Sequence, residues 1–182
     1  GAEVKKYALS GPGWEPDWKA LDAMDWSSVK LWWVNYPHMP TGQKSSIEKF
    51  EKIIALAKKK KVLVINDNPY SLVLNSKKPL SLLSVAGSSE VALELNSLSK
   101  SHNMAGWRLG TLMGREDYLH SVLRVKSNYD SGMFKAIQEA AIHALGLDQK
   151  WHDQRNAVYE RRKLMACSLL DLLNCTYSNN QE

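Results

Sequence analysis

The sequence predicts a layered α/β fold in which parallel strands are joined by helices. Two observations carry this reading. Up to about residue 113, short apolar runs alternate with stretches of helical periodicity. One run, Val62-Leu63-Val64-Ile65, shows no polar alternation, as a strand covered on both faces requires. Strand, helix and strand in that order imply a right-handed crossover and parallel pairing.

Five strands are expected, at residues 3–8, 30–34, 62–66, 91–96 and 108–113. Between the second and third, Ser45 is placed to cap a helix, and Glu48 three residues later completes a capping box. Ile47, Phe50, Ile53, Ile54 and Ala57 then recur at helical spacing. Lysines at 58–61 set cations at the negative pole of that helix. At a helix end, with the tryptophans scattered along the chain, this run reads as a solvated terminus and not as a nucleic-acid surface. Beyond residue 113 the pattern is helical at 117–125, at 134–145 and from about 149 to 173, with Gly146 separating the last two. Cys175-Thr176-Tyr177 could open one more strand.

Composition excludes several classes. The 182 residues are 44% hydrophobic and 24% charged, which is ordinary for a globular chain and wrong for a disordered or fibrous one. No apolar run approaches the ~20 residues of a membrane span, and no signal peptide opens the sequence, so a cytoplasmic protein is expected. The net charge of +5 is modest. Cys167 and Cys175 are too few for a disulfide framework and read as buried free thiols. The histidines show no metal spacing, and no metal site is expected.

In open α/β sheets ligands sit beyond the carboxyl ends of the strands. The segments following the second, third and fourth expected strands are Asn35-Tyr36-Pro37-His38-Met39-Pro40-Thr41-Gly42, Asp67-Asn68-Pro69-Tyr70, and the stretch from Ser97 through Ser99, Lys100 and His102 to Arg108. One crevice would receive an acid, a phenol, hydroxyls, a lysine and an arginine. A lysine in a partly dry pocket loses its proton readily and condenses with carbonyls. A carboxylate beside a pyridine nitrogen keeps that nitrogen protonated, which makes the ring an electron sink. Arginine and hydroxyl donors suit a phosphate. The ligand these groups fit is pyridoxal phosphate. Each residue also has a plainer reading: Asp67 as a turn residue, Tyr70 as a buried ring, Arg108 as an ion-pair partner, Ser97 and Ser99 as backbone-bonding serines. His102 reads as a loop histidine and Met39 as loop packing. Gly106, Gly110 and Gly114 read as points of close backbone approach.

Asn-Tyr-Pro…Pro-Thr-Gly, Asp-x-x-Tyr, and Ser-x-Ser-Lys followed eight residues later by arginine resemble the class I/II aminotransferases, the fold-type I pyridoxal phosphate enzymes. The stretch from Ser99 to Gly110 looks most like the aspartate and LL-diaminopimelate aminotransferase branch. The resemblance runs from the first strand through the late helices. It implies a three-layer α/β/α large-domain portion with a mostly parallel sheet, over residues 1–147. Residues 148–182 would be the connecting helix and the start of a truncated small domain.

Carried over, the resemblance makes Lys100 the Schiff-base lysine and proton shuttle, and Asp67 the partner of the pyridinium nitrogen. Tyr70 would bond the ring's phenolate oxygen. Ser97, Ser99 and Arg108 would hold the phosphate, and Lys126-Ser127-Asn128 would reach toward a partner's pocket. The implied reaction moves an amino group between an amino acid and a 2-oxo acid, in a homodimer. Lyase, decarboxylase, synthase or ligand-sensing use of the same fold stays open. Met39 departs from the family's asparagine before Pro-Thr-Gly and cannot donate to the ring oxygen. The family's phosphate loop, ring-stacking aromatic and substrate-carboxylate arginine fall outside residues 1–182, so this stretch by itself is expected to be inactive.

Overall fold

The computed structural model describes residues 1–11, 13–75 and 78–177. The chain enters through a two-residue hairpin, β1 (Leu9–Ser10) antiparallel to β2 (Glu15–Pro16), then helix α1 (Trp18–Ala23) capped by the Asp17 carboxylate. The strand expected at 3–8 does not form. Val4 is exposed, and the segment is held by side chains in place of a ladder. Tyr7 packs edge-on against Trp32 at 6.2 Å and its hydroxyl donates to the Trp33 carbonyl at 3.3 Å. Lys5 Nζ donates to Ser28 Oγ at 3.1 Å.

The main sheet follows the chain in order: β3 (Leu31–Val34), then, after helix α2 (Ile47–Lys60), β4 (Leu63–Asp67), and then β5 (Ala92–Ser97). These three are parallel, with Trp32 opposite Val64 and Val64 opposite Ala92. Each observed strand sits one residue later than expected at one end or both. A one-turn helix, α3 (Leu98–Ser101), follows β5 directly. The last strand, β6 (Gly110–Gly114), returns antiparallel to β5, pairing Ser97 with Gly110 and Leu93 with Gly114.

Helix α2 covers one face. Phe50, Ile53 and Ala57 are fully buried against Val64, Leu82 and Ala92. A buried aromatic of this kind is worth about 1.5–3 kcal/mol. Its cap is Ser46, whose Oγ accepts from the Lys49 amide at 3.1 Å, and not Ser45. Glu48 therefore falls one position short of a capping box and serves as a first-turn acid at the positive pole. At the other end Lys58 pairs with Glu90, and Lys59 and Lys60 with Asp22. Lys61 closes the helix in the left-handed region at φ 55°.

Helices α4 (Glu116–Tyr129), α5 (Lys135–Leu145) and α6 (Gln149–Leu172) complete the described structure. Ile137, Ala140, Ala141 and Ala144 of α5 pack on Leu98, Met104 and Leu109. Helix α6 is tied down near its start. The Arg155 guanidinium donates to the Leu72 carbonyl, and Asn156 Oδ1 accepts from the Leu74 amide at 3.1 Å. Leu164, Met165, Leu169 and Leu172 further along α6 are exposed. No strand forms at 175–177. The thiols are not buried: Cys167 lies half-exposed on α6, and Cys175 follows its end in solvent.

Candidate functional site

The carboxyl ends of β4 and β5 carry Asp67 and Ser97, with Tyr70 and Lys100 close after them in the chain, but of the six expected residues Asp67 alone lines the cleft described next. Asp67 is the last residue of β4 and is exposed. It lines an open cleft of about 280 Å³ with Tyr7, Trp33, Asn35, Tyr36 and His38. Tyr70 follows in the turn after β4 and is half-buried. Ser97 ends β5 and caps α3, its Oγ accepting from the Ser99 amide at 3.1 Å and donating to the Leu109 carbonyl at 3.4 Å. Lys100 stands exposed in the single turn of α3.

Arg108 lies two residues before Gly110, which pairs with Ser97, so the two chains converge on this end of the sheet. Its backbone is left-handed, at φ 52°, and Nη1 donates to the Ala105 carbonyl at 3.0 Å. The convergence needs a glycine. A Cβ on Gly110 would lie 2.7 Å from the Asn96 carbonyl oxygen, whereas one on Gly106 would meet nothing within 4 Å. Close approach therefore holds at Gly110 and at Gly114, where a Cβ would meet Leu93, and not at Gly106.

The loop after β3 is cross-linked to β4 by Asn35. Its Nδ2 donates to the Asp67 carbonyl at 2.6 Å and its Oδ1 accepts from the Met39 amide at 2.7 Å. Met39 is 47% exposed. His38 does face the cleft, with Nδ1 2.8 Å from Thr41 Oγ1. Burial, then the Lys49 ammonium, hold His38 below the ordinary histidine range, which favours the neutral ring. Burial raises the Tyr36 phenol above its usual value. His102 is a buried, hydrogen-bonded histidine in the turn that ends α3. It stacks on Trp151 at 5.8 Å with Ser101 Oγ 2.8 Å from Nδ1.

Sequence reasoning missed Glu94. It is 2% exposed, in the middle of β5, and accepts from Asn66 Nδ2, Asn68 Nδ2 and the Leu82 amide. The available signal was an acid inside the apolar run Ala92-Leu93-Glu94-Leu95.

The donor set fits pyridoxal phosphate. Among the described residues, neither the Asp67 carboxylate nor the Lys100 ammonium has a hydrogen-bond or ion-pair partner, so both are available to a ligand. Asp67 suits a pyridine nitrogen, Lys100 a carbonyl, and Ser97, Ser99 and Arg108 a phosphate. Among the described residues no group of three or more His, Cys, Asp or Glu is arranged to hold a metal ion.

Comparison with known proteins decides the family. The model for aminotransferase class I and II matches residues 1–181. The chain belongs to that family. It is 45% identical over 149 residues to an LL-diaminopimelate aminotransferase of Gloeobacter violaceus, covering 81% of this chain and 38% of that protein. Its identity to the LL-diaminopimelate aminotransferase of Aquifex aeolicus is 38% over 156 residues, covering 85% and 40%. The fold matches apo-BacF from Bacillus subtilis with a TM-score of 0.87 at 30% identity, covering 93% of this chain and 43% of that one. A probable N-succinyldiaminopimelate aminotransferase from Thermus thermophilus matches at 0.81 and 33% identity, covering 88% and 44%. The chain thus spans about two fifths of the length of these family members. The mostly parallel sheet with helices is the α/β fold of those structures.

Proposed function

We propose that the protein is a pyridoxal phosphate-dependent aminotransferase moving an amino group between an amino acid and a 2-oxo acid. The observation that supports this most is the set Asp67, Tyr70, Ser97, Ser99, Lys100 and Arg108 at the carboxyl ends of β4 and β5, in the order of the family motifs. Pyridoxal phosphate supplies a carbonyl that condenses with amines and a protonated ring that draws electrons from the attached carbon. Asp67 would hold the proton on the pyridine nitrogen, and Tyr70 would donate to the ring's phenolate oxygen. Ser97 and Ser99 hydroxyls and the Arg108 guanidinium would bind the phosphate, Ser97 turning its proton from the Leu109 carbonyl to do so. With that group bound, Lys100 Nζ would be the base that holds and returns the substrate's α-proton. Asn35 keeps the Asp67 backbone in place while these steps occur.

The relatives' name makes LL-diaminopimelate the amino donor to try first. Residues 1–147 are assigned to the cofactor-binding large domain. Residues 148–182 are assigned to the connecting helix and the start of the small domain, with 178–182 outside the described residues. A homodimer is included in the proposal, supported by the unpaired apolar side chains of α6. A cytoplasmic site is included too, supported by two free thiols and by the lack, among the described residues, of a helix long and apolar enough to cross a membrane.

The test is to load the protein with pyridoxal phosphate, reduce with borohydride and map the modified lysine by peptide mass. Label concentrated at Lys100 is the expected result, and label spread over residues 58–61 and other surface lysines overturns the site. Turnover of LL-diaminopimelate with a 2-oxo acid acceptor then tests the reaction. Turnover independent of the acceptor would exclude a transferase.

A further inference from the structure

We propose that Glu94 is a positioning residue that fixes Asp67 by holding the residues on either side of it. This rests on the functional reading above and adds a residue to it. The Glu94 carboxylate is buried in β5, yet every contact it makes is to a donor. Oε2 accepts from Asn66 Nδ2 at 3.0 Å and from the Leu82 amide at 2.7 Å, and Oε1 accepts from Asn68 Nδ2 at 3.2 Å. Asn66 and Asn68 are themselves buried, at 0% and 2% exposure, and they flank the exposed Asp67.

The grip extends to the neighbouring elements. Asn66 Oδ1 accepts from the Tyr36 amide at 3.0 Å, which fastens the end of β3. The Asn68 amide donates to the Leu95 carbonyl at 2.9 Å, and Asn96 Nδ2 donates to the Asn68 carbonyl at 3.0 Å. Asp67 itself has its carbonyl bonded by Asn35. Alternation along the strand turns its two neighbours inward and leaves its carboxylate at the cleft. One buried charge, reached by a donor from each flank, thus sets where that carboxylate sits.

A carboxylate meets this demand as the residues stand, with acceptor sites on both oxygens. An amide in its place would set one N–H₂ group against Asn68 Nδ2 and require Asn68 to turn inward its Oδ1, which is partnerless among the described residues. The Leu82 amide belongs to a short 3₁₀ turn at Leu82–Ser84, so the same charge fastens that turn against β5.

The experiment compares E94Q and N68A with the unsubstituted protein for folding, for pyridoxal phosphate affinity, and for the pH titration of the bound cofactor's visible absorbance. E94Q is expected to weaken affinity about tenfold, within the range that outer partners of binding groups command. It should also move the absorbance titration, because the ring nitrogen's counter-charge is displaced. N68A, which removes one of the three donors, should act in the same direction and less. Variants that fold and melt lower, but bind and titrate like the unsubstituted protein, would reduce Glu94 to core packing and overturn the proposal. If E94Q does not fold, the affinity and titration of N68A decide by the same criteria. An unsubstituted protein that takes up no cofactor overturns the functional reading, and the positioning role with it. Failure of the positioning role alone appears only in the variants.

Discussion

Replacing Gly110 with alanine separates a steric requirement from mere sequence pattern. The new Cβ would lie 2.7 Å from the Asn96 carbonyl oxygen, where ordinary contact begins at 3.4 Å, so the strands must part by about 0.7 Å. Both atoms sit on a paired backbone, opposite the Ser97 end of β5, and neither can swing away. Overpacking of this kind costs about 1–3 kcal/mol. In a chain of this size that is a fall in Tm of about 2–12 °C. Gly106→Ala is the internal control, since its Cβ would meet nothing within 4 Å. It should leave Tm within about 2 °C of the parent. Thermal unfolding followed by circular dichroism reads both. Equal melting of G110A and G106A would refute the close-approach reasoning, and with it the account of how Arg108 is brought toward Ser97.

Asp67→Asn should leave stability within about 0.5 kcal/mol, because the carboxylate has no partner among the described residues, yet lower pyridoxal phosphate affinity at least tenfold; parental affinity would remove Asp67 from the site. His102 and His152 are both held below the ordinary histidine value, by burial first and then by neighbouring cationic groups. With folded values below unfolded ones, their contribution is fully present above about pH 6.5 and is lost as pH falls through the lowered values. His102→Phe should flatten the loss of urea midpoint between pH 7 and 5, and an unchanged slope would contradict this. Phe50→Ala should cost about 3–5 kcal/mol in chemical denaturation, given a fully buried ring. Lys61→Gly relieves a left-handed residue and should raise stability by about 1 kcal/mol, read as Tm.

Much of the architecture was legible because its causes are local. The buried strand at β4, the α2 stripe from Ile47 to Ala57 and the three late helices each follow from short-range periodicity. Misses occurred where a distant partner decides. Residues 3–8 look like a strand, but their order comes from Tyr7 on Trp32 and Lys5 on Ser28, neither visible in a local window. Ser45 and Ser46 are equivalent as letters, and only the direction of the chain into α2 selects Ser46. The thiols were read as buried because cysteine usually is, whereas α6 leaves this face uncovered. At the candidate site, ordered motifs nominate Asp67, Tyr70, Lys100 and Arg108 as the residues to test. Glu94 escaped because its role depends on Asn66, Asn68 and Leu82 arriving from other segments.

The anchoring of α6 at Arg155, Asn156 and Tyr159, whose hydroxyl donates to Asn103 Oδ1 at 3.0 Å, leaves the rest of that helix as a lever arm. Leu172 lies 13 residues beyond Tyr159, an arm of about 20 Å at the helical rise. Tilting the arm by about 10° about the anchor would carry Leu172 through about 3 Å, a displacement that follows from arm length alone. The turn that holds Tyr70 lies at the fulcrum, where the same tilt produces almost no travel. A tilt of that size would shift whatever covers Leu164, Met165, Leu169 and Leu172 by about an atomic diameter and leave Tyr70 in register with β4.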